Sequence, residues 1–153
     1  MNYKTATISF SEIPMEGASL CIWVAGCGRR CKGCHSPQLR NHDGIPLTKS
    51  NLYKEILNGL PYITCVVFMG GENTPEVLEL LRWIKKRFPS LKRALYAGSR
   101  NVEVDYKVNL NYLKLGEYRE AQGGLRSPYT NQKFYEKVNG LWVDVTFRFH
   151  EGY

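Results

Sequence analysis

The 153-residue chain contains no uninterrupted apolar run of the length needed to span a bilayer, about 18 residues or more, and no basic segment leading into an apolar stretch near Met1. A membrane-spanning helix and an export signal are therefore not expected, and the protein is placed in the cytoplasm. It has five cysteines, an odd number, and three of them fall within eight residues, where they cannot all reach distant partners. A disulfide framework is excluded on that count. No basic run interleaved with aromatics marks a nucleic-acid site, and no repeat, low-complexity tract or linker divides the chain, so a single domain over residues 1–153 is expected. The length also falls well short of the roughly 250 residues of a complete eightfold β/α barrel. Acidic residues are sparse in the second half. From Val77 onward there are 14 Lys and Arg against 8 Asp and Glu, whereas the first 76 residues carry 7 against 6, so nearly all of the formal +7 charge lies late in the chain. Such a surplus suits either nucleic acid or an acidic protein partner, and by itself does not choose between them.

What is present reads as alternating strands and helices. Residues 5–10 alternate as a strand, and Pro14 and Gly17 break the chain into a loop. Residues 20–25 (Leu-Cys-Ile-Trp-Val-Ala) form an apolar run with β-branched and aromatic members, the pattern of a strand buried on both faces of a parallel sheet. Thr48 or Ser50 supplies an N-cap for a helix carrying Leu52, Ile56, Leu57 and Leu60, and Asn58-Gly59 ends it. Residues 63–69 form a second buried strand running into Gly70-Gly71-Glu72. Thr74 and Pro75 then open a helix whose apolar face is Val77, Leu80, Leu81, Ile84 and Phe88, stopped by Pro89. Strands follow over 93–96 and 110–115, then a turn-rich loop over 116–130. Finally a hairpin is expected from 134–138 and 141–150 around Asn139-Gly140, with Trp142, Val143, Val145, Phe147 and Phe149 on its apolar side. Strand–helix–strand alternation implies right-handed crossovers and a parallel sheet. Cys21 and Cys65, inside the strands, are read as small buried hydrophobes.

The stretch that carries chemistry is Cys27-Gly28-Arg29-Arg30-Cys31-Lys32-Gly33-Cys34, at the carboxyl end of the first buried strand, where ligand sites gather in open α/β sheets. This spacing points to iron–sulfur or zinc chemistry. Three thiolates leave one position open on a [4Fe–4S] cube, and a free iron is where a small molecule binds. The zinc alternative, an interaction module, requires a fourth ligand, for which His35 and His42 are candidates; a simple electron carrier is the other non-catalytic alternative. Arg29, Arg30 and Lys32 either ease electron entry into a negatively charged cluster and receive an acidic electron donor, or form a solvated loop.

The C-x3-C-x2-C run resembles the signature of the radical S-adenosylmethionine enzymes. Gly26-Cys27 through Arg30-Cys31-Lys32-Gly33-Cys34-His35-Ser36-Pro37 is similar to the small activating proteins of anaerobic ribonucleoside-triphosphate reductases, a likeness that extends over about residues 10–149. The resemblance implies a shortened, open (β/α)6-like partial barrel with a mostly parallel sheet and a C-terminal hairpin. It also implies a [4Fe–4S] cluster on Cys27, Cys31 and Cys34, with S-adenosylmethionine on the free iron. Gly70, Gly71 and Glu72 match the Gly-Gly-Glu element that receives the cofactor's methionine amino group, although Met69 and Asn73 stand where the family favours Ser or Thr and Pro. His35 holds a position that is usually aromatic and faces the adenine; as a residue it reads equally as a loop histidine. Tyr96 and Gly98 match a strand end and loop bordering the cofactor. The implied activity is reductive cleavage of S-adenosylmethionine to a 5′-deoxyadenosyl radical that generates a glycyl radical on a partner reductase, with a small acidic donor such as a flavodoxin supplying the electron. Activation of another glycyl-radical enzyme, or of a small molecule, is the nearest alternative. No acid–base catalytic residue is singled out, and Lys114 reads either as site-lining or as solvated.

Overall fold

The computed structural model describes residues 1–29 and 31–150. One sheet of eight strands runs through it: β1 (Asn2–Ser9), β2 (Ala18–Val24), β3 (Ile45–Pro46), β4 (Ile63–Met69), β5 (Lys92–Tyr96), β6 (Tyr112–Leu115), β7 (Lys133–Val138) and β8 (Leu141–Asp144). They lie in the order β3-β1-β2-β4-β5-β6-β7-β8. Three helices connect them, α1 (Lys49–Gly59), α2 (Pro75–Arg87) and the single turn α3 (Val104–Lys107).

Sequence pattern accounts for most of these elements. β4 occupies the full run Ile63–Met69, and its alternation splits it between two cores: Val66 and Phe68 face the helices, whereas Cys65, Val67 and Met69 face the other side. α1 begins where Thr48 Oγ1 accepts the Asn51 N–H at 3.1 Å. Its Leu52 and Ile56 join Val77, Leu80, Leu81 and Ile84 of α2 in the helix-side core. Cys21 and Cys65 are fully buried free thiols, and burial pushes both well above the ordinary thiol range, Cys21 to about 12.

The structure departs from expectation in four places. Parallel pairing is confined to β2, β4, β5 and β6, and four of the seven strand pairings are antiparallel, which differs from a mostly parallel sheet. The cause lies in the connections: a parallel crossover needs a dozen or so residues and a packed helix, and among the described residues only α1, α2 and the four-residue α3 are available. The hairpin ends at Asp144 and not at residue 150. Thr146 turns back to accept the Phe134 N–H at 2.9 Å, its hydroxyl bonds the Asp144 carboxylate at 2.6 Å, and the chain closes as a 3-10 turn over Thr146–Phe149. Val143 and Phe147 are consequently exposed while Val145 and Phe149 are buried. Thr74 makes no side-chain cap to α2; its hydroxyl donates instead to the Gly71 carbonyl. The stretch before β6, without pattern in the sequence, holds α3.

At the end of the sheet remote from the cysteine loop, Glu16 ties the loop between β1 and β2 to three other elements. Its carboxylate, 7% exposed, accepts from Thr64 at 2.6 Å and Tyr112 at 2.7 Å and pairs with Lys92. Burial pushes its carboxyl up, but these three donors outweigh burial and hold it below the ordinary carboxylate range. A carboxylate lowered by folding contributes stability that is complete above its unfolded value of about 4.3 and is lost as pH falls through the folded value. Glu16→Gln is therefore expected to destabilise the fold by about 1–3 kcal/mol at neutral pH and to flatten the loss of stability between about pH 5 and pH 3, as read by urea unfolding across that range. An unchanged acid profile would remove Glu16 from this role.

Candidate cluster and cofactor site

Registration of the four parallel strands sets the site. Trp23, Met69, Tyr96 and Lys114 are mutual partners across β2, β4, β5 and β6, so their side chains form one row on one face, at the carboxyl edge of the strands. Four loops leave from this edge: the cysteine loop, Gly70-Gly71-Glu72, Ala97-Gly98-Ser99, and the segment after Leu115. Two adjoining cavities, of about 300 and 450 Å³, share that row and Ser36. These volumes lie in the range of small-molecule sites.

The cysteine loop is anchored at both ends. Gly26 N–H donates to the Leu39 and Asn41 carbonyls at 2.7 and 2.8 Å, and Cys27 N–H donates to Leu39 at 2.8 Å. Gly26 has φ +88°, and a Cβ there would stand 2.5 Å from the His42 ring, so only glycine fits. His42 thus serves as a wall of the loop. Further along, Cys34 N–H donates to the Cys31 carbonyl at 3.2 Å, which also accepts from Arg40 at 3.2 Å, and Ser36 N–H donates to Cys34 Sγ at 3.4 Å. Cys27 is exposed, Cys31 and Cys34 are half-buried, and all three are free thiols. Among the described residues no three His, Cys, Asp or Glu side chains converge closely enough to hold a metal ion. His42 packs against Gly26, and His35 packs against Tyr118. The donor chemistry suits an iron–sulfur cluster: three accessible sulfurs on one short loop, with a backbone amide already pointing at one of them. Arg30 lies outside the described residues.

The other residues singled out in the sequence meet around these cavities. Gly70, Gly71, Glu72 and Gly98 line the smaller one beside Cys27; His35 and Cys34 line the larger; Tyr96 borders both. Gly71, at φ +90°, leaves no room for a Cβ, which would lie 2.6 Å from Val77 Cγ2. Glu72 reaches across to accept the Gly98 N–H at 3.3 Å, linking the loops after β4 and β5. Tyr96 donates its hydroxyl to the Glu12 carbonyl, and burial, reinforced by Glu12, raises it well above the ordinary phenol range.

Sequence reasoning left Lys114 undecided; here it is 8% exposed and borders both cavities. Its ammonium donates to the Ala97 carbonyl at 3.2 Å and the Gly116 carbonyl at 2.6 Å. Burial pulls it down to about 8, against the opposing pull of Glu72 and Cys31. Its signal in the sequence was a lysine inside an apolar strand. Also unforeseen is the grip of the next loop on the cysteines. Glu117 stands 3.6 Å from Arg29, Tyr118 packs on His35 with ring centroids 4.9 Å apart, and a Cβ on Gly33 would lie 3.0 Å from the Glu120 carboxyl carbon. Arg29 in turn fills the space over Gly98, where a Cβ would come within 2.6 Å of its Cδ. Glu12, in the larger cavity, is raised by burial, with Arg126 opposing.

Lys114 is expected to titrate near 8 in the apo-protein, as followed by its Nζ resonance in ¹⁵N NMR. Because Glu72 holds the ammonium charged, Glu72→Gln is expected to move this midpoint further down; a midpoint in the ordinary lysine range, about 10.4, would contradict the buried geometry.

Comparison with known proteins bears on the same residues. The chain is 26% identical over 138 residues to the anaerobic ribonucleoside-triphosphate reductase-activating protein of Enterobacteria phage T4, an alignment covering 82% of this chain and 88% of the relative. The resemblance to reductase-activating proteins read from the cysteine loop agrees with this match. No solved structure matches. The family described as 4Fe-4S single cluster domain matches residues 13–120, from the loop before β2 to the loop after β6. That span takes in all three thiols, all four parallel strands and the glycine turn opposite them, and on this match the chain belongs to the 4Fe-4S single cluster domain family.

Proposed function

We propose that this protein is an activating enzyme of the radical S-adenosylmethionine class, acting on an anaerobic ribonucleoside-triphosphate reductase. The observation that carries the reading is the meeting of a three-thiol loop, a Gly-Gly-Glu turn and a cavity of small-molecule size at one edge of four parallel strands. The name of the phage relative supports the choice of partner. When bound by Cys27, Cys31 and Cys34, a [4Fe–4S] cluster reduced by one electron supplies cleavage of the sulfonium C–S bond of S-adenosylmethionine, giving methionine and a 5′-deoxyadenosyl radical that takes a Cα hydrogen from a glycine of the reductase. A small acidic carrier protein such as a flavodoxin supplies the electron.

The chain's own residues bind, orient and exclude water. Gly70 and Gly71 line the cavity without side chains, so that their backbone would receive the methionine ammonium group. Glu72 fixes this turn against Gly98. Lys114, lining both cavities, sets a cation there, complementary to a carboxylate and to the net negative charge of a thiolate-held cluster. His35, braced by Tyr118, offers a ring face to the adenine, and Tyr96 closes the wall between the two cavities. The larger cavity, reached from the open side of the sheet, is where the reductase glycine approaches.

Anaerobic reconstitution tests this. The protein is expected to bind about four irons per chain, to cleave S-adenosylmethionine only when reduced, and to produce a glycyl radical signal by electron paramagnetic resonance in the reductase. Cys27→Ala, Cys31→Ala and Cys34→Ala are each expected to abolish iron retention and cleavage. Colourless protein that takes up zinc in place of iron would sink the proposal.

A further inference from the structure

The sheet is covered unevenly. On its helix side, α1 and α2 bury β2, β4 and β5, but α3 has four residues and no further α-helix follows it among the described residues. The same face of β6, β7 and β8 is left with a groove made of two adjoining cavities, each of about 270 Å³, which share Arg100, Leu115 and Tyr135. Its floor is apolar and aromatic, from Leu115, Tyr135 and Trp142. Four cations line it, Arg100, Lys107, Arg119 and Lys133; Asp144 of β8, cross-strand from Tyr135, lies 3.9 Å from Lys133, and the carboxylate in the lining itself is Glu117. That carboxylate is already engaged, bonded to Arg119 at 2.7 Å and 3.6 Å from Arg29. The groove thus sets cationic side chains over an apolar surface.

Two relations decide the occupant. Through Glu117 and Arg29 the upper end of the groove abuts the cysteine loop, so whatever lies in the groove lies against that loop. Strand register places the groove on the opposite face from the larger cavity: Leu115 pairs with Lys133 and Leu113 with Tyr135 on the helix side, whereas Lys114 and Phe134 share the other. An occupant therefore leaves the cavity mouth clear for the molecule that yields its hydrogen. That suits a partner that delivers an electron better than one that must present an atom inside the cavity.

We propose that this groove docks a small acidic one-electron carrier protein, its carboxylates set against Arg100, Lys107 and Lys133 and an apolar contact against Tyr135 and Trp142. The inference rests on the cluster reading above. One electron passes from carrier to cluster; the carrier is oxidised by one, the cluster reduced by one, and no bond or proton changes hands. Opposed charge steers such encounters and makes their rate fall with salt.

The test uses the full chain with reconstituted cluster, flavodoxin hydroquinone as the carrier, and the double variant Arg100→Glu/Lys133→Glu, both residues being exposed. At low ionic strength flavodoxin-driven cluster reduction is expected to slow about tenfold or more, while iron content and reduction by dithionite stay at the parent level. Raising salt is expected to bring the parent down toward the variant. A single change at another position in the groove, Lys107→Glu, should slow the same step in the same direction. Equal flavodoxin-driven rates in parent and variants, with iron intact, overturn the groove and leave the cluster reading standing. Parent protein that holds no iron overturns the cluster reading first. Variants that take electrons normally but no longer bind the reductase assign the groove to that partner and overturn the electron-carrier proposal.

Discussion

Everything at the functional edge depends on hydrogen-bonded register between strands that are not neighbours in sequence. Trp23, Met69, Tyr96 and Lys114 stand in one row because β2, β4, β5 and β6 run parallel and in step. A slip of one residue in any strand would turn its member of the row to the helix side. The two cores resist such a slip, since each strand alternates large buried side chains between them. The register also delivers the four loops to a common edge, so that short contacts between them suffice to build the site: Glu72 to Gly98, Arg29 over Gly98, Tyr118 against His35.

Close backbone approach is the second constraint. Gly26 and Gly71 both have positive φ and both face a side chain where a Cβ would stand, the His42 ring in one case and Val77 in the other. These glycines let the cysteine loop and the turn after β4 fold flat against their supports. The cysteine loop is then held by amides at its start and by Arg40 near its end, with the thiols along the span between.

Much of this was legible in the sequence because the relevant signals are local. The pattern expects β4 over residues 63–69, which it occupies, and Thr48 as one of two caps, which makes the bond; Cys27, Cys34, the Gly-Gly-Glu turn, Tyr96 and Gly98 border the cavities, and Cys31 lies on the loop between the two cysteines. What the pattern missed depends on distant partners. Lys114 in an apolar strand has no readable role until the carbonyls of Ala97 and Gly116 are seen to receive it. The grip of Glu117, Tyr118 and Glu120 on the cysteine loop crosses some 85 residues of chain and has no periodicity to announce it. The hairpin ends before its sequence pattern does, because residues 141–150 keep an apolar rhythm past the point where Thr146 diverts the backbone. A parallel arrangement was extrapolated beyond the last long helix, where no crossover remains to support it.

The tight turn at Asn139 and Gly140, with φ of 52° and 79°, sits where β7 has run its full length away from Lys133, its residue paired with Leu115 at the functional edge. The thiols and this turn therefore occupy opposite poles of the sheet. Both turn residues are exposed, and a Cβ on Gly140 would meet nothing. A tether, dye or surface linkage attached there would immobilise the molecule with its reactive pole facing outward.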